Sequence, residues 1–136
     1  MSRAQVETLT KMEAWRAYQR AFHEFSECVR NLQALTTDPH PNRASIEAAL
    51  LEVEKSRLVY DLCRDRMARY FMPSSRRSYM PASDAREATR SRVRNIAELL
   101  WESAGCPQGT AEDDWLRAEE IVRQAGETAH GAATAA

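Results

Sequence analysis

The sequence predicts an all-α protein: a long antiparallel helical hairpin, coiled-coil-like in its pattern, followed by a small C-terminal helix-loop-helix. Three observations support this prediction. The 136 residues include only 4 glycines and 5 prolines, and no segment shows the alternation of a β-strand. Large apolar residues recur at gaps of three and four along two long segments. This balance is typical of helix-rich chains rather than of sandwiches or barrels, which need many tight turns.

The first helix is predicted from about Arg3 to Leu35, where no residue breaks a helix. Its large apolar residues fall at gaps of 3, 4, 3, 4 and 3, which is a heptad seam. A second helix is predicted from about Arg43 to Phe71, after the turn-rich stretch TTDPHPN, with Asn42 or Ser45 as its cap. The short connection makes the two helices antiparallel. We name the heptad residues of both helices the interaction stripe: Trp15, Tyr18, Phe22, Phe25, Val29, Leu32, Ile46, Val53, Tyr60 and Met67.

The second helix has apolar residues on more than one side. Besides its heptad seam it carries Leu50, Leu51, Leu58, Val59 and Leu62. A two-helix hairpin buries only one side of each helix, so something else must cover the rest. The two alternatives are the C-terminal helices and another copy of the chain.

The remaining chain divides into a linker, a small helical unit and a tail. Residues 1–72 form the hairpin, 73–83 a basic linker rich in proline and serine, 84–126 the helix-loop-helix, and 127–136 a disordered tail. The third helix is predicted from Asp84 to Ala104 with Ser83 as its cap. Thr110 opens the fourth helix, with Asp113 completing a capping box.

Between these helices lies the stretch LWESAGCPQGTAEDDWL. Gly105 occupies the position of a left-handed helix end, and Pro107 prevents continuation of the helix. We expect the rings of Trp101 and Trp115 to approach each other and staple the two helices. The structural staple comprises Leu100, Trp101, Gly105, Pro107, Gly109, Trp115 and Leu116.

The same segment carries a wider pattern of Leu-Trp, an acidic residue, Gly, Pro, Gly, and then Trp-Leu with an Ala-Glu pair. Its members are Leu100, Trp101, Glu102, Gly105, Pro107, Gly109, Trp115, Leu116, Ala118 and Glu119. On these residues the chain from about Arg94 to Val122 resembles the bacterial domain of unknown function family 2934. The family often has tyrosine where this chain has Glu98 and histidine where it has Asp114, so any site formed by those two is missing here. The resemblance implies a bacterial source and a helical hairpin, and adds no mechanism.

No constellation of residues predicts an active site. Cys28, Cys63 and Cys106 have no CxxC spacing, the three histidines are scattered, and no nucleophile elbow or phosphate-binding glycine loop occurs. We therefore expect no enzymatic activity, no metal, no cofactor and no small-molecule substrate. The sequence lacks a secretory signal and a membrane span, which favours a cytoplasmic protein. The mixed charges on the polar face of the first helix also argue against membrane-surface binding.

Two functions are compatible with these patterns. The first is a protein-protein interaction or scaffold module that self-associates, or binds a helical partner, through the interaction stripe. The alternative is a nucleic-acid-associated protein, because the formal charge is +4 over residues 73–95 and −6 over residues 96–136. Its candidate anion contacts are Arg76, Arg77, Arg86, Arg90, Arg92 and Arg94. The same arginines are equally suited to pair with the acidic last third of the chain.

Overall fold

Four α-helices make up the described part of the chain. The computed structural model describes the backbone of residues 2–71 and 82–134 and the side chains of residues 2–71 and 85–128. The helices are α1 (Arg3–Thr36), α2 (Arg43–Phe71), α3 (Ala82–Ser103) and α4 (Ala111–Thr134). The prediction of an all-α hairpin followed by C-terminal helices is confirmed. The predicted linker, residues 73–83, lies mostly outside the described residues.

The two long helices begin with side-chain caps. Ser2 and Gln5 form a capping box at the start of α1, each side chain bonding the backbone N–H of the other. At the start of α2 the side-chain oxygen of Asn42 accepts the backbone N–H of Ser45 at 3.2 Å, so Asn42 is the cap and Ser45 the residue that it bonds. The six residues between the helices force an antiparallel pairing, in which Tyr18 meets Tyr60.

The face that α1 turns to α2 differs from the predicted seam by one residue at two positions. Ala14 and Ala21 are buried, 1% and 4% exposed, whereas their neighbours Trp15 and Phe22 are 46% and 53% exposed. Large residues dominate a sequence pattern, but the closest approach of two helix backbones selects small ones, because a large side chain holds the helices apart. The buried line of α1 is therefore centred on Ala14 and Ala21, and the partly buried Tyr18, Phe25 and Leu32 lie along it.

The C-terminal helices pack against the first half of α2. Their shared core contains Ile46, Leu50, Val93, Ile96, Leu100, Ala118 and Ile121, and Leu32 and Leu35 near the end of α1 pack against it. Burying each aliphatic side chain of this kind stabilises the fold by about 1.5–3 kcal/mol. The core thus joins the hairpin to the helix-loop-helix, and the C-terminal helices provide part of the cover that α2 needs.

Both C-terminal helices are longer than predicted. α3 begins at Ala82 rather than Asp84, which places Ser83 inside the helix instead of at its cap. α4 continues to Thr134, through most of the segment 127–136 that we expected to be disordered. The helix contains two glycines, Gly126 and Gly131, each of which costs only about 1 kcal/mol in a helix interior; the alanines around them favour helix, and no proline ends it.

The turn after α3 is a Schellman motif built around Gly105. The N–H of Cys106 bonds the carbonyl of Trp101 at 3.0 Å, and the N–H of Gly105 bonds the carbonyl of Glu102 at 3.0 Å. The φ angles of Gly105, Cys106 and Gly109 are +87°, +58° and +83°. The predicted helix end at Gly105 is therefore present, and the loop contains one residue, Cys106, in a conformation that side chains rarely adopt.

Two glycine substitutions are expected to change stability in opposite directions. Gly105→Ala should lower the free energy of unfolding by about 1–2 kcal/mol, because the strain of a positive φ falls on the new Cβ. Gly126→Ala should raise it by about 0.5–1 kcal/mol, because Gly126 lies in the helix interior. A Cβ added at either position meets nothing within 4 Å, so neither effect involves a steric clash. Urea denaturation followed by circular dichroism measures both; equal effects of the same sign would contradict the backbone assignment.

Candidate interaction surfaces

The exposed apolar residues are concentrated at one end of the hairpin. Ten large apolar side chains of the described residues are exposed, and only Trp101 and Leu116 of these belong to α3 and α4. The other eight are Val6, Leu9, Met12, Trp15, Phe22, Val59, Leu62 and Phe71. We call residues 6–22 of α1 and 58–71 of α2 the open half of the hairpin, because they lie away from the α1–α2 connection. The ion pairs and core residues that join α3 and α4 to α2 use residues 43–54 instead.

A second heptad line runs along α1 beside the buried one, and none of its residues is charged. We call it the uncharged line: Thr8, Met12, Trp15, Gln19, Phe22, Ser26, Val29 and Gln33. Met12, Trp15 and Phe22 on this line are 46–53% exposed. Surface faces of helices usually carry charges, and α1 places its acidic and basic residues elsewhere. The absence of charge along this line can be found in the sequence alone, by counting the charged residues on each face of the predicted helix.

Part of the interaction stripe is used inside the hairpin. The ring of Tyr60 lies 5.5 Å from Tyr18, 5.7 Å from Phe25 and 6.1 Å from Phe22, between ring centres. The hydroxyl groups of Tyr18 and Tyr60 share a hydrogen bond of 3.3 Å. Trp15 stacks on Tyr18 at 5.9 Å and leaves its outer side exposed.

The remaining residues of the stripe are distributed between two places. Ile46 is fully buried in the core that α2 shares with α3 and α4. Val29, Leu32, Val53 and Met67 are partly buried along the hairpin. Of the whole stripe, Trp15 and Phe22 therefore offer the largest exposed surfaces to a partner.

A buried acid at the start of α4 bonds to α2. Arg43 donates to Asp114 at 2.7 Å, and the carboxylate of Asp114 also accepts the hydroxyl of Thr110 at 3.2 Å. The Asp114 side chain is only 2% exposed. The hydrogen bond to Asp114 is the main cause that raises the pKa of Arg43. The side chain of Thr110 thus bonds Asp114, and not the predicted capping partner Asp113.

Two further acids of α2, Glu47 and Glu54, pair with arginines across the same interface. Glu47 bonds Arg43 of its own helix and also Arg117 of α4, each at 3.2 Å. Glu54 bonds Arg57 of its own helix at 3.0 Å and lies 3.5 Å from Arg92 of α3, without hydrogen-bond geometry at the Arg92 Nε. Periodicity could not indicate the pairs with Arg117 and Arg92, because they join residues far apart in the sequence.

The four predicted anion-contact arginines that the structure describes lie in different surroundings. Arg76 and Arg77 lie outside the described residues. Arg92 faces Glu54 of α2, and burial, followed by the nearby charge of Arg57, lowers its pKa. Arg94 is exposed, while Arg86 and Arg90 line a groove between α3 and α4.

The two tryptophans of the predicted staple act separately. Trp101 donates its indole N–H to the carbonyl of Pro107 at 2.8 Å, so it fastens the loop to the end of α3. Trp115 packs against the core and donates to the carboxylate of Glu119. Within the described ranges all aromatic ring contacts lie in the hairpin, so the expected contact between these two rings does not form. Leu100 is fully buried, whereas Leu116 is 56% exposed.

Candidate metal ligands and thiols do not cluster in the described part of the chain. Among the residues with described positions, no group of three or more His, Cys, Asp and Glu side chains could hold a metal ion. Cys28 and Cys63 are partly buried and Cys106 is exposed, all three as free thiols. None of the helices in the described ranges is long and apolar enough to cross a membrane.

The architecture is that of an all-α protein whose last two helices form a hairpin on a longer one. Residues 88–124, which include most of α3 and the first half of α4, match the family model described as "Protein of unknown function (DUF2934)". This match confirms the resemblance found in the sequence. Comparison with curated proteins and with solved structures found no significant match.

Removing the buried carboxylate of Asp114 should weaken the contact between α4 and α2 and so lower the stability of the fold. Asp114→Ala is expected to lower the free energy of unfolding by about 1–3 kcal/mol, the range for a lost hydrogen bond to a charged group. Arg43→Ala should also destabilise, and the double variant should cost less than the sum by about 1 kcal/mol, because the two residues bond each other. Arg30→Ala is the control, since its pair with Glu27 is exposed and worth less than about 1 kcal/mol. Additive effects in urea denaturation would refute the coupling.

The tyrosine pair gives a pH-dependent prediction. The hydrogen bond that Tyr60 shares with Tyr18, followed by burial, raises the pKa of Tyr60 above its usual value of 10.0. The folded state thus resists ionisation of Tyr60, so this stabilisation is complete below about pH 10 and decreases as the pH rises above it. In a titration of tyrosinate ultraviolet absorbance, Tyr18→Phe should shift the ionisation of Tyr60 to lower pH, because it removes the hydrogen bond to Tyr60; Tyr70→Phe, which leaves that hydrogen bond in place, is the control. An unchanged high-pH limb in Tyr18→Phe would contradict the assignment.

Proposed function

We propose that this chain is a non-enzymatic interaction module that forms a homodimer by packing the open halves of two hairpins together. In this arrangement the uncharged line of one copy lies against the open half of the other. Two hairpins contribute four helices, which can form a bundle in which each helix packs against two neighbours. No catalytic step or cofactor is part of the proposal.

The observation that supports the proposal most directly is the uneven cover of the hairpin. Near the α1–α2 connection, the core of α2 is closed by α3 and α4. In the open half, Trp15, Phe22 and Leu62 remain 46%, 53% and 55% exposed. Monomeric proteins seldom expose so many large apolar side chains within one region, and such regions are typically interfaces.

The absence of charge on the uncharged line favours a second copy over a different partner. A twofold interface brings the same surface of each copy together, so any charged residue near its centre meets a like charge. The uncharged line avoids that repulsion, because Gln19 and Ser26 occupy the positions between its apolar residues. Partners of different sequence are more often selected by complementary charges.

The test is the mass of the purified chain in reducing buffer, measured by size-exclusion chromatography with in-line light scattering. At tens of micromolar the wild-type protein should have twice the chain mass of 15.5 kDa. Trp15→Glu should weaken the dimer at least about 100-fold, because it places an unpaired carboxylate in an apolar interface. The variant should then elute as a monomer with unchanged helical circular dichroism.

Leu116→Glu is the matched control. It makes the same kind of change at a residue that is 56% exposed but lies on α4, outside the open half. This variant should remain dimeric. A wild-type protein that is strictly monomeric at tens of micromolar would refute the proposal, and so would equal effects of the two variants.

A further inference from the structure

A groove between α3 and α4 lies outside the proposed dimer surface. It has a volume of about 460 Å³ and lies on the C-terminal helices, away from the open half of the hairpin. Its lining is Arg86, Thr89, Arg90 and Val93 of α3 with Trp115, Glu119, Val122 and Arg123 of α4. The floor is apolar, because Val93 is buried and Trp115 and Val122 are partly buried.

Some charged groups at the rim of the groove have partners among the described side chains, and others do not. Arg123 bonds Glu120 and Glu127 of its own helix, and its bond to Glu120 lowers the pKa of that carboxyl to about 2. The carboxylate of Glu119 accepts the indole N–H of Trp115.

Arg86 and Arg90 differ from these residues. Both are exposed, and neither forms an ion pair with a carboxylate of the described side chains. The groove therefore has two adjacent guanidinium groups available at one rim.

We propose that this groove binds an acidic amphipathic helix of a partner protein, in which two carboxylates one turn apart flank an apolar side chain. Arg86 and Arg90 are four residues apart, which is about 6 Å along α3, and carboxylates one turn apart on a partner helix have the same spacing. The guanidinium groups then bond the two carboxylates, and the apolar side chain lies on Val93 and Val122.

The surroundings of the groove favour a peptide over a nucleic acid. A phosphate backbone needs cations along its length, whereas Arg86 and Arg90 lie together on α3 and span only one helical turn. Phosphate contacts also make no use of an apolar floor. A short acidic segment with one buried apolar residue satisfies both the charge and the floor.

The test measures binding of a fluorescein-labelled helical peptide, with two glutamates one turn apart around a leucine, to the full chain by fluorescence anisotropy. The same peptide with glutamines is the reference ligand. The glutamate peptide should bind, and the Arg86→Gln/Arg90→Gln double variant should bind it about tenfold or more weakly. Arg94→Gln is the matched control, because Arg94 is exposed on α3 but does not line the groove. Trp15→Glu should bind normally, which separates this site from the dimer surface.

Several outcomes would overturn the proposal. Equal binding of the glutamate and glutamine peptides would remove the role of the carboxylates. Unchanged binding by Arg86→Gln/Arg90→Gln, with its helical circular dichroism intact, would place the peptide elsewhere. Displacement by millimolar inorganic phosphate alone would reduce the site to a simple anion site. A single-stranded oligonucleotide that binds more tightly, and loses affinity in the same double variant, would assign the groove to nucleic acid.

Discussion

The structure depends on the burial of one face of α2 by the two C-terminal helices. Ile46 and Leu50 enter the space between α3 and α4, and α2 also holds α1 on its other side. Because α2 contacts all the other helices, the hairpin and the C-terminal helices share one core and each part contributes to the stability of the other.

Apolar burial alone does not fix how α4 is aligned along α2. The ion pairs around the core fix this alignment. Asp114 can accept Arg43 only when α4 starts beside the start of α2, and Arg117 then meets Glu47 one turn later. Arg43 comes from a helix outside residues 88–124, which match the family model, so this ion pair joins the matched segment to the rest of the chain.

The features that depend on local residue spacing could be predicted from the sequence. Those that depend on contacts between residues far apart in the sequence could not. The bounds of α2, the end of α3 at Gly105 and the antiparallel hairpin follow from proline, glycine and heptad spacing within a few residues. The true seam of α1 could not be predicted in this way, because Ala14 and Ala21 are selected by how closely two backbones approach. The ion pairs of Asp114 and Glu54 join distant residues. The groove beside Arg86 and Arg90 exists only once α4 lies next to α3.

Only the half of the hairpin near the α1–α2 connection is covered by α3 and α4, and this difference should affect where the helices open locally. Local opening costs least where few buried contacts are lost, so the free energy of opening should decrease from the α1–α2 connection toward the open half. Helical turns around Trp15 and Leu62 would then exchange their amide hydrogens fastest, while those around Ile46 exchange only on global unfolding. The end of the molecule that we propose as the dimer surface is thus also the end that should adapt its shape most readily.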